Sequence, residues 1–309
     1  MARSTHSLPL TAAADGHADV DAPPTVAAAG CAGAVAAFVR RKPLGAAGAA
    51  IVILMALTAV FAALVAPYDP LETDYGAMFA PPSREHWLGT DSFGRDQLSR
   101  IIFGSRTALL VGFCASVVGA TLGLVLGTAS AYFGARTDMI VQRVMDMFLS
   151  FPLIILALAV VAILGTGTWK VILAITVPMI PRAARVCRST ALTVRESPYV
   201  DAARACGFRH ARIILRHMIP NVVPPYLIVL TAFVGQAILL EASLSYLGLG
   251  VQEPTPAWGL MLQGGAEEYA ESAPWIPVFP GLAITAAVFA FNLFGDSLRD
   301  VLDPKLRTQ

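Results

Sequence analysis

Six long apolar stretches, approximately 44–66, 107–133, 144–164, 171–192, 222–246 and 277–298, constrain this chain more than any other feature. A helix rises about 1.5 Å per residue, so about 20 apolar residues are needed to cross about 30 Å of hydrocarbon. In lipid every backbone polar group must pair within the protein, and none of the stretches alternates as a barrel strand does, so helices are expected. Composition agrees, because the 309 residues are 56% hydrophobic and only 14% charged, too apolar for a soluble domain of this length. The expected fold class is an all-α polytopic membrane protein with six transmembrane helices. Arg182, Arg185 and Arg188 interrupt the second half of the fourth stretch.

Formal net charge is only +1, so electrostatic information lies in where the charges sit, and no attraction to nucleic acid is expected. If the N-terminus is cytoplasmic, 17 of the 22 Lys and Arg residues fall on that side; Arg84, Arg95, Arg100, Arg106 and Lys170 fall on the other. This bias predicts both termini inside. The outer loops are then 67–106, long enough to fold into a cap, and 247–276, which carries Glu267, Glu268 and Glu271. Residues 1–38, rich in Ala, Thr, Pro and Asp, are read as a disordered cytoplasmic tail, and residues 39–309 as one transmembrane domain.

Signatures of catalysis are absent. Cys31, Cys114, Cys187 and Cys206 have neither metal-ligand nor disulfide-framework spacing. The segment 165–170, GTGTWK, lacks the spacing of a phosphate loop and is read as a turn between helices. His210 and His217 lie seven apart on one helical face, but Arg209, Arg212 and Arg216 around them favour a surface reading over metal ligation. No catalytic residue, cofactor site or metal site is expected, and the chain is not read as an enzyme. Gly119, Gly123 and Gly127, continued by Ala131, form a small-residue ridge suited to close helix packing within the chain. Polar groups at membrane depth need partners. Glu241, with Gln236 about a turn earlier, is read as an interhelix hydrogen-bonding group, with contact to a pathway or gate as the alternative. Asp146 beside Arg143, and the cluster of Asp296, Arg299, Asp300 and Asp303, are read as structural ion pairs near the cytoplasmic interface.

The loop 195–221 is different in kind, being basic and helix-patterned between two apolar spans. Ser197 is placed to cap a helix that begins at Pro198, Asp201 falls in its first turn, and Gly207 ends it. Ala202, Ala203 and Ala205 keep that helix slim enough for a groove on another protein, while Arg204, Arg209, Arg212 and Arg216 face carboxylates at the rim. The plainer alternative is an interfacial helix lying on anionic headgroups.

Asp201-Ala202-Ala203, three residues, Gly207 and, later, Ile219-Pro220 resemble the coupling-loop signature of ABC importer permeases: E-A-A, three residues, G, nine residues, I-x-L-P. Asp201 stands for the usual Glu, His217 for the first Ile and Ile219 for Leu. His86-Trp87-Leu88-Gly89-Thr90-Asp91 with Gly94-Arg95-Asp96, Pro256-Ala257-Trp258-Gly259, and Gly295-Asp296-Ser297-Leu298-Arg299-Asp300 followed by Asp303-Pro304 resemble the peptide and nickel branch, most of all its C-type dipeptide or oligopeptide permeases. The resemblance covers about residues 44–307. It implies the type I importer transmembrane fold in the membrane of a prokaryotic cell. It also implies a second homologous permease, two cytoplasmic ATPase subunits and an extracytoplasmic substrate-binding protein as partners. Asp201, Ala202, Ala203, Arg204 and Gly207 would then be the ATPase-coupling residues. His86, Trp87, Asp91 and Arg95 would belong to the outer cap that receives the binding protein. Dipeptides or short oligopeptides are the expected cargo, with nickel chelates and glutathione as alternatives. Two rivals from other classes are an ion-coupled secondary transporter and a membrane scaffold. The first should show paired repeats with broken helices, which this sequence lacks, and leaves the Arg-rich loop unexplained; in the second the loop would bind a different partner.

Overall fold

The computed structural model describes residues 39–40, 42–266, 269 and 271–302; the tail 1–38 read from sequence, with Glu267, Glu268 and Asp303, lies outside them. Among the described residues no strand occurs, only an isolated bridge between Thr90 and Asp96. The helices are α1 (Pro43–Val60), its short continuation α2 (Ala62–Val65), α3 (Gln97–Phe133), α4 (Ala135–Leu149), α5 (Leu153–Leu164) and α6 (Thr168–Arg195). After these come α7 (Pro198–Ala205), α8 (His210–Ile213), α9 (Ile219–Tyr246), α10 (Trp258–Ala266) and α11 (Trp275–Leu302).

The glycine ridge explains the central packing. A Cβ on Gly119 would lie 3.0 Å from the Cβ of Met179, one on Gly123 would lie 2.4 Å from the Cβ of Ala183, and one on Gly127 would lie 2.3 Å from the carbonyl oxygen of Ala184. The ridge therefore seats α3 against α6 of the same chain at a separation that only glycine permits. Around this pair, Val111, Ala115, Ile175, Met179, Phe233 and Leu240 build the middle of the core. Gly48 plays the same part between α1 and α11, where a Cβ would meet the Ala290 carbonyl oxygen at 2.8 Å.

Among the described residues, four helices are both long and apolar enough to cross a membrane: α1, α3, the run His210–Tyr246 and α11. The stretch 144–164, expected to be one span, is instead the end of α4 and the whole of α5, bent by 91° at the break. Pro152 has no N–H to continue α4 and restricts Phe151 before it, so the helix stops at Leu149 and restarts at Leu153. Counting the bent pair as one span gives five. The remaining stretch, 171–192, is helical throughout as part of α6, but its three arginines take it below the apolar character of a lipid-facing span. Of GTGTWK, only residues 165–167 form the turn, with Gly165 at φ 84° and Gly167 at φ 123°, and residues 168–170 already begin α6.

The helices run so that two ends are chemically distinct. At one end Lys42 pairs with Asp300, and Arg195 donates to the Ala131 carbonyl at 3.0 Å, satisfying the last turn of α3. Asp300 thus pairs across to the start of α1 and not along its own helix. At the other end Arg106 binds the carbonyls of Ala59 and Val60, and Thr107 donates to the Pro256 carbonyl at 2.8 Å.

Candidate functional site

At the basic end, α6 turns through Glu196 and Ser197 into α7. The Ser197 side chain does not cap α7 as expected; its Oγ donates back to the Thr193 carbonyl at 3.4 Å, and Pro198 at the first helical position reduces the need for a cap. The far end is closed by a Schellman arrangement. Gly207 sits at φ 72°, its N–H binds the Arg204 carbonyl at 2.9 Å, and the Phe208 N–H binds the Ala203 carbonyl at 3.2 Å. A positive φ at that point is the physical reason for glycine.

Val200 and Ala203 are buried, packed with Tyr132, Val194, Ile213 and Val222 from α3, α6, α8 and α9 and with Met218 just before α9. Asp201, Ala202, Arg204, Ala205 and Gly207 are exposed on the opposite side. Ala203, expected with Ala202 on the docking face, therefore faces inward; its neighbours in sequence carry the outward face. Asp201 accepts from Arg204 at 3.0 Å, and the Arg204 guanidinium lies 5.3 Å above the Tyr132 ring. His210 Nδ1 is 2.8 Å from the Tyr132 hydroxyl, whereas His217 stacks on Phe208 at 6.1 Å, so the two imidazoles serve different partners. A π-helical turn, Ile214–Met218, then leads into α9.

The two polar groups of α9 singled out from the sequence are Glu241 and Gln236. Glu241 is buried and accepts from Ser245 Oγ at 2.7 Å within its own helix, while the same hydroxyl receives the Val251 N–H at 3.2 Å. Its bond is thus intrahelical, not the interhelix bond expected. Gln236 is part-exposed and accepts from Arg182 of α6 at 3.4 Å. Below it, Arg185 pairs with Asp146 at 2.7 Å, and Arg188 holds Asp138 through both carboxylate oxygens. Asp146 is thus paired, but with Arg185 of another helix and not with nearby Arg143.

At the other end, Asp91 is buried and accepts from the backbone N–H groups of Phe93 and Arg95 and from the Arg95 side chain at 2.6 Å. Arg95 and Arg100 both reach Glu253, at 3.0 and 3.2 Å. His86 is 3.0 Å from Asp96, leaving Trp87, 72% exposed, as the outward-facing member of the four expected cap residues. Sequence reasoning missed the contact of Arg100 with Glu253, which joins residues 153 positions apart, and no local pattern marks it.

Residues 119–308 match the family model described as "binding-protein-dependent transport system inner membrane component". Residues 37–82 match the N-terminal transmembrane domain of oligopeptide transport permease C. A putative peptide transport system permease of Brucella suis biovar 1 (strain 1330) is 43% identical over 262 residues, covering 85% of this chain and 88% of that protein. A dipeptide transport system permease of Alkalihalophilus pseudofirmus is 40% identical over 269 residues, covering 87% and 88%. A glutathione transport system permease of Escherichia coli O6:K15:H31 is 41% identical with the same coverage. The MetNI methionine ABC transporter, solved in inward-facing conformations, superposes with a TM-score of 0.54 at 19% identity over 67% of this chain and 97% of that one, a likeness of fold. With more than half its length inside one family model and relatives above 40% identity along most of it, the chain belongs to the inner-membrane permease components of binding-protein-dependent transport systems.

Proposed function

We propose that this chain is a pore-forming subunit of an ATP-driven importer of dipeptides or short oligopeptides. It pairs with a second, homologous permease, docks two cytoplasmic ATPase subunits and receives cargo from an extracytoplasmic binding protein. In this reading it sits in the plasma membrane of a prokaryote with both termini cytoplasmic, and α6 counts as a crossing shielded by its neighbours, making six. Hydrolysis on the ATPase subunits biases a two-state pore here.

The observation that carries the proposal is α7. Its inner face is fixed to the ends of three spans, while Asp201, Ala202, Arg204 and Ala205 face outward and the left-handed Gly207 holds its end. A rigid, slim helix anchored to the spans is what a push from a partner's groove requires. Trp87 is the cap residue we assign to contact with the binding protein. Glutathione is a second cargo reading, favoured by the 41% identical relative.

The test is purification of the chain from its native membrane in mild detergent, with mass spectrometry of copurifying proteins and retained ligand, followed by uptake into vesicles. Recovery of a second permease and ATPases, with ATP-dependent uptake of labelled dipeptide, is the expected result; glutathione competition separates the two cargoes. Ala202→Arg is expected to leave insertion and ATPase activity intact while abolishing uptake. Recovery of the chain alone under conditions that hold comparable complexes together would overturn the proposal.

A further inference from the structure

Three arginines lie along α6 at three-residue spacing, and their partners differ. Arg188 holds Asp138 and Arg185 holds Asp146, so each is neutralised by a carboxylate of α4. Arg182 is exposed, and its partner among the described residues is the neutral Gln236 amide oxygen at 3.4 Å, leaving most of its donors and all of its charge uncompensated. Gln236 lies ten residues before the end of α9 at Tyr246, about 15 Å along the helix; with that end taken as the outer boundary of about 30 Å of hydrocarbon, the pair lies near its middle, deeper than the count of cytoplasmic charges placed Arg182. A guanidinium exposed at that depth is too costly to face lipid, so this side of α6 and α9 faces away from lipid and, in the permease reading above, toward the second subunit and the path between the two. On α9, Leu239, Ser243 and Tyr246 follow outward of Gln236 at helical spacing and line an open, mainly apolar cleft of about 480 Å³ with Ile154, Leu262 and Ile284.

We propose that Arg182, oriented by Gln236, is a carboxylate-binding station midway along the translocation path, a role that rests on the permease reading above. The fork of the guanidinium matches a carboxylate's two oxygens, and a substrate carboxylate supplies the countercharge that Asp138 and Asp146 give the two arginines below. The station selects substrates with a free carboxyl terminus and releases them because it offers one charged contact.

The test uses the reconstituted complex with its binding protein. Uptake of a peptide and of its C-terminal amide is compared, each at a concentration that saturates the binding protein, for the wild type, Arg182→Gln and Arg182→Lys. Dividing each variant's uptake by the wild type's cancels the binding protein's own preference. Arg182→Gln is expected to lower uptake of the free acid about tenfold, as for loss of one charge-assisted contact, and to leave the amide near the wild-type rate. Arg182→Lys is expected to keep most of the acid uptake. Equal losses for acid and amide would show that Arg182 pairs with a partner subunit or supports structure, and no loss for either would show that the path does not use it; each overturns the proposal. Absence of ATP-driven uptake in the wild type would instead overturn the permease reading.

Discussion

Replacing Gly127 with alanine would force a methyl carbon to within 2.3 Å of a backbone carbonyl on α6, an atom that has no rotamer by which to move aside. Overpacking of this kind costs about 1–3 kcal/mol, so Gly127→Ala is expected to lower the thermal midpoint of the purified complex by several degrees. Gly281→Ala, whose new methyl would find its nearest neighbour at 3.7 Å, is expected to leave the midpoint unchanged and serves as the control. The ridge was legible in the sequence because small residues at four-residue spacing have few other uses in lipid. Its partner was not, since nothing local distinguishes Ala183 and Ala184 from the other alanines of the chain. The same ambiguity hid the direction of Ala203. A helix of eight residues with alanines at three positions shows no clear inner face until the helices it leans on are in place.

At the level of elements, the loop helix and its glycine stop were legible because Pro198, Asp201 and Gly207 each carry a local reason for their position. The closing turn yields a graded expectation. Gly207→Asn, which tolerates the left-handed conformation, should keep the helix end and transport, whereas Gly207→Val should fray it; limited proteolysis of inside-out vesicles, read at the 204–210 junction, measures the difference. The division of α4 from α5 was marked by Pro152, but hydropathy alone reads straight through it. At 12 residues, about 18 Å, α5 is too short to cross by itself, so the bend governs how this part of the chain occupies the membrane.

For the whole molecule, the separation of a basic end from the cap was legible from counted charges, while the contacts that close the cap were not, because they join residues far apart in sequence. Asp91, Arg95, Arg100 and Glu253 tie the loop before α3 to the loop after α9. Removing the most buried member, Arg100, should loosen both. Arg100→Met is expected to cost on the order of 3 kcal/mol and to expose the cap to protease added from the outer side, with α7 on the opposite side unaffected. Equal protection of the wild type and the variant would show that the cap is held by other contacts.

The glycine-mediated seat of α3 on α6 has a mechanical meaning. Two long helices whose backbones touch have little freedom to slide or twist past each other, so they act as one stiff beam. α6 alone is 28 residues, about 42 Å, and α7 is attached at its lower tip. The 91° bend between α4 and α5 lies beside it. In the permease reading proposed above, a displacement applied at the tip of such a beam would be carried along its length to the far end.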